Sequence, residues 1–185
     1  PKEPAAGHPK KLGTAAPGPL LLTQVTLERF KAAANSGPIA LRPFNVVIGR
    51  NGAGKSTLLE ALQWIELAQR VDIRAACERY YGIHDLIHAS APKTRRSFEL
   101  ELHWQQQGAK QPRGFRYGLK IGERRDRNPE ILGEALDDTT GPRLRSVIEQ
   151  TEVGRFVSPS PGGFGFVFDD PEHLALGFTP RLGRP

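Results

Sequence analysis

The stretch Gly49-Arg50-Asn51-Gly52-Ala53-Gly54-Lys55-Ser56 constrains this chain more than any other. It satisfies the pattern G-x-x-x-x-G-K-[ST] in full, and its flanks fit as well. Residues 44–48 ahead of it are apolar except for Asn45, which predicts a strand buried on both faces of a parallel sheet. Behind it, Leu58, Leu59, Leu62 and Ile65 recur at helical spacing. A helix is therefore expected from near Lys55, with a pattern extending to Tyr81 and Gly82 as its stop.

The residue types in this stretch match the chemistry of holding phosphate. Gly49, Gly52 and Gly54 let the backbone turn tightly and aim N–H groups inward. A helix N-terminus adds positive partial charge at the same place. Lys55, the catalytic candidate, brings a mobile point charge to the β- and γ-phosphates. Ser56 offers a hydroxyl ligand to Mg²⁺, and Thr57 is placed to bond an α-phosphate oxygen. The implied ligand is ATP with Mg²⁺. A chance glycine-rich turn with these four fixed positions would arise in about one chain in a hundred of this length. The strand–loop–helix context makes that reading weaker still.

Composition narrows the setting. The 185 residues suffice for one domain with a small attachment. The 16 Pro and 20 Gly favour many turns and few long elements. Cys77 stands alone, so no intrachain disulfide can form, which fits a cytoplasmic protein. No stretch approaches the ~20 apolar residues that cross a bilayer, so no membrane partner is expected. Net charge is +6, from 26 basic and 20 acidic residues. That is compatible with nucleic acid and equally with a solvated basic surface. The basic clusters, Lys93 with Arg95 and Arg96 and Arg124 with Arg125 and Arg127, lack interleaved aromatics.

Three segments emerge along the chain. Residues 1–19, rich in Pro, Ala, Gly and Lys, read as a flexible leader. Residues 20–136 form the main lobe. It opens with a strand over 20–28 and a short one over 39–41. Two strict period-two runs follow: Phe98, Leu100, Leu102 and Trp104, then Phe115, Tyr117, Leu119 and Ile121. They predict an antiparallel hairpin with one wet face. Residues 137–185 read as a Pro/Gly-rich, partly ordered end of a truncated domain, strand-like only over 153–157 and 164–168.

Hydrolysis needs an acidic residue at the end of another buried strand. Asp169 follows the apolar run Phe166-Val167-Phe168, with Asp170 beside it as a base. The run is short, glycine-flanked and followed by Pro171, so an acidic turn after an edge strand is the better reading. His84 and His88 have i, i+4 spacing, and His103 stands apart. No ligand set completes them, and structural or surface roles are expected.

The run Leu27-Glu28-Arg29-Phe30-Lys31, followed by residues 44–62, resembles the opening of RecF, SMC and OLD-type ATPases, a group of AAA (ABC-type) P-loop ATPases. Asn51 before Gly52, and Glu60-Ala61-Leu62 after the loop, set it apart from GTPases and kinases. Arg116-Tyr117-Gly118-Leu119-Lys120-Ile121 and Gly133-Glu134-Ala135-Leu136 look like antiparallel strands of RecF-like ATPases. The resemblance implies an α/β fold, a P-loop NTPase N-terminal lobe with an antiparallel β subdomain. It implies that Arg29, Phe30 and Lys31 lie beside the nucleotide and that Arg50, Asn51 and Ala53 belong to the phosphate loop. It implies a homodimer closed as a nucleotide sandwich, and an association with DNA in repair, maintenance or phage defence. The signature motif, Walker B strand and switch histidine are not found. Neither Gln105-Gln106-Gln107 nor Gln150 places the Q-loop glutamine. A chain that stops before those parts should bind ATP and turn it over hardly at all. Two rivals stay open: a self-sufficient small P-loop NTPase or kinase, and a nucleic-acid- or protein-binding module with a vestigial nucleotide site.

Overall fold

A computed structural model describes residues 18–94, 96–108, 113–151, 154–158 and 165–178. Most of the 1–19 leader, Arg95, and the starts of the two late strand-like runs lie outside the described residues. One eight-stranded sheet carries the fold. In chain order its strands are β1 (Leu20–Phe30), β2 (Ala33–Ala40), β3 (Ser97–Gln106), β4 (Gly114–Glu123), β5 (Pro129–Asp138), β6 (Arg145–Thr151), β7 (Gly154–Val157) and β8 (Phe166–Phe168). Across the sheet they run β2-β1-β3-β4-β5-β6-β7-β8, and every neighbouring pair is antiparallel.

The period-two runs set the register. Phe98 faces Ile121, Leu100 faces Leu119, Leu102 faces Tyr117 and Trp104 faces Phe115, so one face of the β3–β4 pair is apolar throughout. Three helices cover that face: α1 (Lys55–Arg70), α2 (Ile73–Glu78) and α3 (Ile83–Leu86). Trp64 of α1 is fully buried and meets Phe98 edge-on at 5.1 Å between ring centroids. Phe30 meets the same ring at 5.1 Å. Each such aromatic pair contributes roughly 0.5–1.5 kcal/mol beyond its buried area.

Four expectations are corrected. Residues 44–48 form no strand. Phe44, Val46, Val47 and Ile48 are 81%, 66%, 52% and 89% exposed. The chain leaves β2 after Ala40, Leu41 N still donating to Thr23 O at 2.8 Å, and turns where Arg42 N donates to Asn45 Oδ1 at 2.9 Å and Asn45 Nδ2 donates back to Arg42 O at 2.6 Å. Apolar side chains alone do not make a strand; a ladder partner is needed as well.

The helical segment does not run unbroken to Tyr81. It leaves helical geometry at Val71 and restarts where Asp72 Oδ1 accepts from Ala75 N at 2.6 Å, an N-cap that competes with continuation. The buried stripe of α1 is also rotated from the one expected. Leu59 is exposed, and Thr57, Leu58, Ala61, Trp64, Ile65 and Ala68 face the sheet. Finally, β6 was unexpected. Val147 and Ile148 are both buried around a register shift opposite Leu136 and Asp137, and this irregularity erases the alternation that marks a strand.

Candidate functional site: the phosphate loop and its rim

The loop joins the exposed segment to α1. Gly52 and Gly54 both adopt φ of 82°, the left-handed region where a side chain is strained. Gly54 is the N-cap of α1 and supplies no side chain. The first turn of the helix contains no acidic residue, so its free N–H groups keep their full attraction for an anion. Ala53 N donates to Arg50 O and Thr57 N to Gly54 O, both at 3.1 Å, which closes the turn on itself. Lys55 arches back over the loop, its Nζ donating to Gly49 O and Arg50 O at 2.8 Å each. Both bonds are exposed, so a phosphate oxygen can replace them.

A cleft of about 480 Å³ opens against this loop, lined by Asn51, Gly52, Gly54, Lys55, Ser56 and Thr57 and, across from them, Lys31, Ala32 and Glu60. The fold thus brings Lys31 to the phosphate loop. Lys31 Nζ lies 2.7 Å from Glu60 Oε2 and 5.0 Å from the centroid of the Tyr80 ring. Gly49 packs behind the loop, where an added Cβ would meet that of Ala53 at 3.5 Å.

The other two members of the Arg-Phe-Lys run go elsewhere. Phe30, expected beside the nucleotide, has its side chain wholly buried in the core. Arg29 turns toward β3. Its Nη2 donates to Glu99 Oε1 at 2.8 Å and its Nε to Ser97 O at 3.3 Å, and it also pairs with Glu28. Arg29 and Lys31 have left-handed φ of 54° and 47°, so the alternation of β1 breaks here and the two cations leave in different directions.

Asp169 is exposed where β8 ends and does not line the cleft; β8 forms the sheet edge opposite β2. The Asp170 carboxylate accepts from Glu172 N and His173 N, both at 2.9 Å. Those bonds and the neighbouring His173 outweigh its partial burial and hold its pKa below the usual carboxylate value. Among the described residues, no group of three or more His, Cys, Asp or Glu side chains is arranged to hold a metal ion. His88 Nδ1 instead lies 2.8 Å from Ser90 Oγ, and His103 Nε2 lies 2.8 Å from Glu101 Oε1.

Sequence reasoning missed Glu60, which lines the cleft, and Tyr80, whose ring lies against Lys31. Glu60 could have been found, because it stands four residues after Ser56 and so on the same helix face. Tyr80 arrives through the fold of α2 and left no signal of its own.

The loop, the helix it opens and the sheet behind them form a P-loop lobe of the AAA kind. The chain belongs to the AAA domain family, whose model matches residues 24–152. Arcadin-4 from Pyrobaculum calidifontis is 26% identical over 144 residues, which covers 72% of this chain. The match takes in only 18% of Arcadin-4, so the chain spans about a fifth of that relative's length. A solved structure from work on ATP-driven dimerization and DNA-stimulated activation of SMC ATPases is also similar, at 19% identity and a TM-score of 0.40. That match covers 60% of this chain and 67% of the other. Among the described residues, no helix is long and apolar enough to cross a membrane.

Proposed function

We propose that this chain is the ATP- and magnesium-binding half of a composite ATPase. The observation that carries the reading is the geometry of the phosphate loop. Two glycines sit in left-handed backbone, at the uncapped and acid-free start of a 16-residue helix, and Lys55 is hinged over them. Gly52, Gly54 and Lys55 hold the phosphates, Ser56 would give its hydroxyl to a bound Mg²⁺ and Thr57 lines the floor of the cleft. The metal would supply charge neutralisation to the phosphate oxygens. The protein's own groups bind and orient.

The rest of the catalytic machinery is then supplied from outside these residues. The exposed apolar residues 44–48, immediately before the loop, support this division, because four large apolar side chains in water mark a surface made to be covered. A head-to-tail pair of nucleotide-binding halves fits the same reading. Contact with DNA has thinner support: net charge is +6, yet Arg96 and Arg124 sit 3.4 Å from Glu123 and 3.8 Å from Glu130.

Steady-state phosphate release by the purified chain tests the division of labour. The expected result is binding of ATP with negligible turnover, because among the described residues Glu60 is the one carboxylate that lines the cleft, and it is paired with Lys31. Robust turnover abolished by both Asp169→Asn and Lys55→Ala would instead make the chain a self-sufficient NTPase.

A further inference from the structure

We propose that Glu60, together with Tyr80, is a positioning residue that holds Lys31 as a second polyphosphate-binding cation opposite Lys55. The proposal rests on the nucleotide-binding reading above and extends it to residues that the phosphate-loop pattern does not contain.

Lys31 comes from the β1–β2 turn and Glu60 from the second turn of α1, so nothing local in the sequence pairs them. They meet because both line the cleft. The Glu60 carboxylate takes one direction around the Lys31 ammonium, at 2.7 Å, and the Tyr80 ring takes another, at 5.0 Å. Tyr80 is itself tied to α1, its hydroxyl donating to Glu60 O at 3.4 Å. An ammonium has three donors, and these two contacts leave the cleft side open.

The backbone under Lys31 is held with the same care. Its φ of 47° is left-handed, as is the 54° of Arg29 two residues earlier. Lys31 N donates to Leu86 O at 2.7 Å, His88 N donates to Arg29 O at 2.8 Å, and Phe30 bridges to Ile87. Non-glycine residues persist in such backbone only where their surroundings impose it, and such residues gather at functional sites. A lysine on a free stem loses much rotamer freedom when it grips a ligand. Glu60 and Tyr80 reduce that loss by confining the stem beforehand. An ion pair this accessible adds little to fold stability, so its geometry is better explained by the ligand side.

The experiment is a fluorescence titration with mant-ATP and Mg²⁺, run beside thermal melting. The proteins are the wild-type chain, Lys55→Ala, Lys31→Ala, Lys31→Arg, Glu60→Gln and the Lys31→Ala/Glu60→Gln double variant. Lys31→Ala should weaken binding about tenfold, while Lys31→Arg should retain most of it. Glu60→Gln should weaken binding about threefold at an unchanged melting temperature. In the Lys31→Ala background it should weaken binding no further, because Glu60 acts only through Lys31. Two results overturn the proposal alone: wild-type binding that needs Lys55 but ignores Glu60→Gln, or a Glu60→Gln loss that persists without Lys31. Absence of binding by the wild-type chain removes the nucleotide reading and this proposal with it.

Discussion

Arg155 Nη1 donates to Glu134 Oε2 at 3.1 Å inside the core, with side chains only 5% and 0% exposed. The carboxylate is saturated. Its Oε1 accepts from Tyr117 Oη and Leu176 N, both at 2.9 Å, and its Oε2 also accepts from Ala175 N at 2.9 Å. One buried charge thus ties β4, β5 and β7 to the 3-10 turn at Ala175–Phe178. Arg155→Met leaves that charge unpaired and should cost about 3–5 kcal/mol in urea unfolding. A loss below about 1 kcal/mol would contradict this account of the network.

Cys77 should be chemically quiet. Burial pushes its thiol up to about 12. The sign is that of an acid kept protonated. Below about pH 9 the thiol is intact in both folded and unfolded chains; from about pH 9 upward the unfolded chain ionises preferentially, so stability falls until pH nears 12. At pH 8 the folded chain should therefore react with Ellman's reagent at least about a hundredfold more slowly than the urea-unfolded chain. Equal rates would show that the thiol reaches solvent.

Ile48 separates two accounts of the segment before the phosphate loop. At 89% exposure it contributes little to the core, so Ile48→Ser should change unfolding free energy by less than about 0.5 kcal/mol. Leu27→Ala, at 2% exposure on β1, should cost about 2–5 kcal/mol. A loss at Ile48 as large as that at Leu27 would mean that residues 44–48 are a buried strand after all.

What the sequence made legible follows from the range of the interactions. The β3–β4 hairpin could be read because its alternation, the turn between the runs and the sheet face all depend on neighbouring residues. The α1 start could be read because Gly54 and Lys55 belong to a contiguous motif. Residues 44–48 misled because burial depends on a partner strand, and apolarity does not reveal whether one is present. Glu134 shows the converse. It stands two residues from Leu136 on an inward-facing strand position, a charge where the alternation demands an apolar residue. That was a signal of a buried ion pair, but its partner Arg155 is 21 residues away and only the sheet order β5-β6-β7 brings the two within reach.

Arg29 and Lys31 show the limit of a motif carried over whole. Neighbouring members of one short run end in the core, between Glu28 of β1 and Glu99 of β3, and in the cleft beside Lys55. Only Lys31 reaches the cleft, so Arg29→Ala should weaken ATP binding less than Lys31→Ala in the same equilibrium titration. The reverse order would place Arg29, released from Glu99, at the ligand.

In the proposed reading, the loop from Gly49 to Thr57 binds the phosphates of ATP through Lys55. Calorimetric titration of MgATP into the wild-type chain and into Lys55→Ala tests it most directly. A charge-assisted contact of about 1.5–3 kcal/mol predicts saturable binding by wild type and a loss of about tenfold or more on removal of the lysine. Equal affinity in the two proteins, or no binding by either, would contradict it.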